Sequence, residues 1–237
     1  MFKRKFFLKL GFETIAIIIG ISASFWINEI SIKKDNDIQR IRVLNNILIE
    51  NEDIKRYCNE RMNIWSQDIE IFTHLLDKRL NLDKIENIVR SKRRVEYNLI
   101  YYRDFEPPMN RYKSIINTGD LKYIKSENIK EILTRLHNLN YLRVASTVEY
   151  EKEIKGKVIS LLTKENPSLF IKSNNSAVSF ETYINLLHEF IQENDRLKSN
   201  LIVQMRYFKT RISSLKLYMI TLKELEEELR NIKGFNL

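Results

Sequence analysis

Apolar residues run almost unbroken from Leu10 to Ile30, with Glu13 and Glu29 as the only charges and both near the ends. These residues form a helix of about 30 Å at 1.5 Å per residue, the thickness of one hydrocarbon core. Beyond Ile30 the pattern becomes periodic. Ile38, Ile41, Leu44 and Leu48 recur at steps of three and four, then Cys58, Met62, Trp65, Ile69, Phe72 and Leu76 do the same. That spacing predicts an amphipathic helix. Polar Asn51, Glu52 and Asp53 separate the two runs and mark a candidate register shift. One helix is expected from the membrane to about Lys78, projecting about 70 Å from the bilayer.

A second run closes the chain. Leu201, Met205, Phe208, Ile212, Leu215, Met219 and Leu222 alternate steps of four and three, and Leu225, Leu229 and Ile232 follow after a one-residue slip. This is coiled-coil or bundle spacing. With Phe180, Ile184, Leu187 and Ile191 upstream, it predicts one helix over 179–233, with Ser179 as N-cap and Gly234 as the stop. The middle, 81–178, holds all three prolines. It is expected to contain a turn at Pro107-Pro108, a helix stop at Gly119, a helix over 127–162 and a polar loop over 172–176. Val95, Tyr97, Leu99 and Tyr101 alternate as a short strand would, and helix or loop is preferred there.

The expected fold is therefore all-α. An N-terminal transmembrane helix continues into a long helix, which packs antiparallel with a long C-terminal helix as an elongated bundle or coiled coil. The divisions are a basic tail (1–9), a membrane helix (10–30), a membrane-proximal helix (31–80), a distal helical region with turns (81–178) and the C-terminal helix (179–237). The antiparallel packing would return Phe235 and Leu237 towards the membrane.

Composition supports this. Only 5 Gly and 3 Pro in 237 residues argue against a β-sandwich, a dinucleotide fold and a Gly-rich phosphate loop. A single Cys excludes a disulfide framework and a Cys-based zinc site. An apolar fraction of 43% is too high for a disordered chain.

The N-terminal segment has three readings: a cleaved signal peptide with a site at Ser22-Ala23-Ser24, a buried core helix, or a retained anchor. The anchor is preferred because the apolar stretch continues past that site through Phe25, Trp26, Ile27 and Ile30. Lys3, Arg4, Lys5 and Lys9 precede the span without acids, whereas Lys33, Lys34, Arg40 and Arg42 are diluted by Glu29, Asp35 and Asp37. By the positive-inside rule the N-terminus is expected in the cytoplasm and the bulk of the chain outside the cytoplasmic (inner) membrane.

One stripe of this helix carries small and polar residues: Glu13, Ala16, Gly20, Ser24 and Asn28. Small residues four apart let two helices approach closely. The stripe is thus a candidate association face with Glu13 turned to a partner helix. The plainer readings are ordinary membrane-helix composition and an interfacial Glu13 paired with Lys9.

The stretch Gly11-Phe12-Glu13, Gly20-Ile21 and Ile27-Asn28 resembles an uncharacterised family of bacterial single-pass membrane proteins, a domain of unknown function. Members carry a Glu, a Gly seven residues on, an Ile-Asn seven to eight further, and then a long charged helix. Residues 115–121, followed by Ser126-Glu127-Asn128-Ile129, resemble the family's mid-chain segment. The family's Trp follows the Asn, whereas Trp26 here precedes Asn28. The resemblance covers the first 50 residues and residues 108–140, implies a membrane anchor, and implies no activity.

Catalytic chemistry is not legible. His74, His137 and His188 sit in no ligand motif, Cys58 falls in the apolar stripe, and no nucleotide-binding, hydrolase or zinc-protease motif occurs. No catalytic residue, metal or cofactor is expected. Glu224, Glu226, Glu227 and Glu228 read as a solvated helix face. Arg90, Lys92, Arg93 and Arg94, followed by Tyr97, Tyr101 and Tyr102, form a candidate basic patch. Such interleaving suits single-stranded nucleic acid, but no module signature accompanies it and nucleic acid is disfavoured; an acidic polymer or anionic lipid suits it better. The sequence points to a non-enzymatic, membrane-anchored interaction or scaffold protein that self-associates, with the lipid bilayer and an unidentified protein as partners. The alternative is a membrane effector or ion-conducting assembly that uses Glu13 at a helix interface.

Overall fold

The computed structural model describes the backbone of residues 2–232 and the side chains of residues 13–232. The basic tail side chains, the stop at Gly234 and the return of Phe235 and Leu237 lie outside the described residues. Among those described there is no strand. Helix α1 (Phe2–Leu76) is one uninterrupted element of 75 residues. It is followed by α2 (Leu82–Ile88), α3 (Lys92–Ile100), α4 (Asn110–Thr118), a 3₁₀ turn over Asp120–Tyr123, and α5 (Glu127–Thr134). A π-helical segment over Arg135–Asn140 joins α5 to α6 (Tyr141–Glu165), and α7 (Ser168–Asn174), α8 (Phe180–Glu193) and α9 (Asp195–Arg230) complete the order.

Helix α9 packs antiparallel along α1. Asn51 Nδ2 donates to the Leu222 carbonyl at 3.1 Å, and further along Phe72 stacks on Phe208 at 5.7 Å. Helix α6 lies on the other side of α9, with Asn140 Nδ2 donating to Thr221 Oγ1 at 2.7 Å and Arg211 Nε to Thr147 Oγ1 at 2.8 Å. Two apolar clusters result. The one nearer the N-terminal apolar helix gathers Leu44, Ile54, Cys58 and Trp65 with Leu136, Leu215 and Leu222. The distal one gathers Phe72, Leu75, Ile184, Leu187, Leu201 and Phe208. Each large side chain removed from water contributes roughly 1.5–3 kcal/mol.

Local chemistry sets the helix ends. Side chains of Asn81, Ser91, Ser126, Ser179 and Asn194 accept from backbone N–H groups in the first turns of α2, α3, α5, α8 and α9. Gly119 ends α4 with φ of 73°, where a side chain would be strained. Ser179 and Gly119 thus act as the sequence indicated.

Other features differ from the sequence expectation. The C-terminal run is two helices, because Asn194 takes an extended backbone (φ −113°, ψ 92°) and caps α9 through Leu197 N at 2.9 Å. Apolar spacing survives this break, so periodicity alone does not reveal it. Residues 95–100, by contrast, are helical as preferred over a strand: Val95, Asn98 and Leu99 are buried at helical spacing. Helix α7 takes in part of the expected polar loop, leaving the turn over 175–178. In α1 the stripe passes through Asn51 instead of shifting there. Val43, Leu44, Ile47, Asn51, Ile54 and Cys58 face inward, while Ile38 and Ile41 face out.

Candidate functional site

The N-terminal part of α1 leaves the bundle altogether. Every described residue from Glu13 to Lys34 is exposed. One window of this helix has mean hydropathy 1.8 with none of it buried, so it is long and apolar enough to cross a membrane. Ala16, Gly20, Ser24 and Asn28 share one side. Ser24 Oγ donates to the Gly20 carbonyl at 2.9 Å, satisfying the hydroxyl within its own helix. A shallow groove runs along this side between Ile17 and Asn28. Glu13, one turn before Ala16, belongs to the same stripe.

The expected basic patch over 90–94 is dispersed. Arg90 and Arg93 are exposed. Lys92 turns inward, and its Nζ donates to the carbonyls of Lys172 at 3.3 Å, Asn175 at 2.5 Å and Val178 at 2.5 Å. It ties α3 to the end of α7 and the turn before α8. Arg94 pairs with the fully buried Asp68. Two of the four charges are therefore structural.

Asp68 belongs to a charged layer between the two apolar clusters. Its other oxygen takes Arg103 Nη1 at 2.8 Å. Nearby, Glu151 on α6 meets Arg211 of α9 at 2.7 Å and Lys155 at 3.5 Å, and all three are nearly inaccessible to water. The cations lie against aromatic faces: Arg211 is 4.9 Å from the Trp65 ring centre, and Lys155 is 5.8 Å from Phe72 and 5.7 Å from Phe208. Arg211 also donates to the Thr147 carbonyl at 2.8 Å, and Lys155 to that of Asn98. Burial pushes the Lys155 ammonium down to about 8, although Glu151 opposes this, and it lowers Arg103 and Arg211 as well.

Spacing hides this layer. On α9 Gln204, Arg211 and Tyr218 are buried together with Leu201, Phe208, Leu215 and Leu222, whereas Met205, Ile212 and Met219 of the apolar series are half-buried. A charge in phase with Phe208 and Leu215 was the available signal.

A smaller polar cluster lies nearer the exposed N-terminal part of α1. Met109, which precedes helix α4, offers it no side-chain cap; instead Glu50 of α1 accepts from Arg111 N at 2.6 Å and Tyr112 N at 3.1 Å. Burial raises the Glu50 carboxyl, and those backbone donors hold it back. His137, in the π-helical segment, lies 3.9 Å from Glu50 and stacks on Tyr112 at 3.8 Å. Burial takes His137 down to about 4, so it is neutral here. A polar cleft between α1 and α4 opens beside this cluster, lined by Arg42, Asn46, Arg111, Ser114 and Asp120.

Among the described residues none of the His or Cys side chains is arranged as a nucleophile or metal centre. Cys58 is sealed in the core and its thiol is pushed up to about 12 by burial. His74 lies 3.9 Å from Asp77, and His188 bonds the Asp77 carbonyl at 2.8 Å. No group of three His, Cys, Asp or Glu among the described residues could hold a metal ion. The glutamates at the end of α9 serve as salt-bridge partners: Glu226 bonds Lys55 at 3.2 Å and Glu224 bonds Arg135. No family model, curated protein or solved structure matches this chain.

Proposed function

We propose that this chain is a single-pass, membrane-anchored helical scaffold that self-associates and presents its distal helices to a protein partner. One observation carries the reading. A fully exposed apolar helix continues without a break into a bundle that has its own buried core. A helix with apolar residues on every side and no protein around it is stable only against lipid or another such helix. The N-terminus is cytoplasmic and the bundle lies outside the cytoplasmic membrane, following the denser basic group before the span. The buried charges Asp68, Glu151 and Arg211 hold helices together, which favours an assembly role over chemistry.

The test is fractionation combined with topology. The full chain should stay in the membrane pellet after alkaline carbonate washing. Reporters fused after residue 80 and at the C-terminus should both read outside. Recovery in the soluble fraction, or a cytoplasmic signal from both fusions, would overturn the reading.

A further inference from the structure

The outer face of α1 stays apolar after it leaves the span. Ile38, Ile41 and Ile49 are 53%, 46% and 46% exposed. They do not belong to the bundle's own core: Ile38 and the buried Ile47 are nine residues apart, about half a turn round the helix axis in net rotation. Further along, the same outer face becomes Glu52, Arg56 and Glu60, all exposed and charged. The unpartnered apolar face therefore ends about 28 Å beyond Ile30.

We infer that a second copy of this chain covers this face, forming a short parallel two-stranded coil over residues 31–45. The inference rests on the anchored reading above. Positions repeat every seven residues: Ser24, Ser31, Ile38 and Asn45, with Ile27, Lys34 and Ile41 three further on; Leu48, next in that second line, packs against the chain's own core, so the repeat ends at Asn45. The outer line continues the small-residue stripe of the span, so one face serves both segments. Two chains anchored in one membrane from the same side present α1 in parallel, and like positions meet. Asn45 then faces Asn45, the polar pairing that fixes register and strand number at such a position. Charges flanking the seam are complementary. Asp37 and Arg42 are five residues apart and occupy the two flanking positions that face each other across a parallel pair. Arg42 has no acidic partner among the described residues, and Asp37 has only Lys125 at 3.6 Å, on the surface. Lys34 is the one seam charge, and at the headgroup level its stem can carry the ammonium out to water. Under three heptads is marginal for a free coil, but the anchor supplies orientation and a high local concentration.

The test is disulfide crosslinking of the full chain in native membranes, in a C58A background. I38C and N45C should give oxidant-dependent dimers, whereas N36C, on the flank away from the seam, should give at least tenfold less. R42D should cut crosslinking at I38C several-fold, and D37R/R42D should restore it. Equal crosslinking at 36, 38 and 45, or none while the chain remains in the carbonate-washed pellet, overturns the interface alone. Loss of the chain from that pellet overturns the anchored reading and the interface with it.

Discussion

Glu151→Gln isolates the charged layer in a single isosteric change. Glu151 is 2% exposed and is the carboxylate within ion-pair distance of both Arg211, at 2.7 Å, and Lys155, at 3.5 Å. Gln keeps the volume and removes the charge. Arg211 retains its bonds to Thr147, and Lys155 retains the Asn98 carbonyl, so both stay hydrogen-bonded. What is lost is charge compensation for two cations sealed between aromatic rings. Breaking one buried ion pair costs about 3–5 kcal/mol. A domain's total stability is about 5–15 kcal/mol, so the loss is a large fraction of it. The assay is urea unfolding of the full chain in detergent micelles, followed by Trp65 fluorescence in a W26F background. Trp65 is 1% exposed and lies under Arg211, so it reports this layer directly. The expected loss is at least 3 kcal/mol, against a smaller loss for Lys155→Met, which leaves Glu151 paired with Arg211. A Glu151→Gln change within about 1 kcal/mol of the parent would show that the layer is solvated and that the pairing carries no stability.

Two further predictions come from Lys155 and Lys92. The Lys155 ammonium falls from 10.5 to about 8 on folding, equivalent to ~3 kcal/mol against its charged form. That cost is present below pH 8 and is relieved as pH rises from 8 towards 10.5, where the unfolded chain holds the proton longer. The stability of the parent relative to Lys155→Met should therefore rise across that window, and a flat difference in paired urea titrations would refute the assignment. Lys92→Met strips three carbonyls of one charged donor. The expected cost is ~2 kcal/mol, with faster hydrogen exchange confined to α7 and the turn over 175–178; uniform exchange across the bundle would contradict a local pin.

The long apolar series made α1 and the antiparallel α9 legible, because a helix-period pattern survives any detail of partner geometry. Cap residues made Ser179 and Gly119 legible for the same reason: each depends on its own backbone. What stayed hidden depends on a second element. The break at Asn194 preserves the apolar spacing on both sides. The inward turn of Lys92 needs the carbonyls at the end of α7, 80 residues away. Glu50 caps α4 from 61 residues away. Asp68, Glu151 and Arg211 read as surface charges until three helices converge on them.

The charged layer also explains which face of α9 points inward. Turning α9 to bury Met205, Ile212 and Met219 would give a more apolar seam than the one observed, with Gln204, Arg211 and Tyr218. Hydrophobic burial alone favours that alternative. It would also carry Arg211 away from Glu151 and leave a carboxylate and Lys155 buried against Phe72 and Phe208, a cost that exceeds the gain from two or three half-buried side chains. The pairing therefore favours the observed rotation of α9 against α6, as a polar residue at a seam position does in a coiled coil. The outer isoleucines of α1 stay outside the chain's own core. A bundle locked in one rotation by its interior can hold a second, weaker apolar face in reserve on α1 without folding onto it.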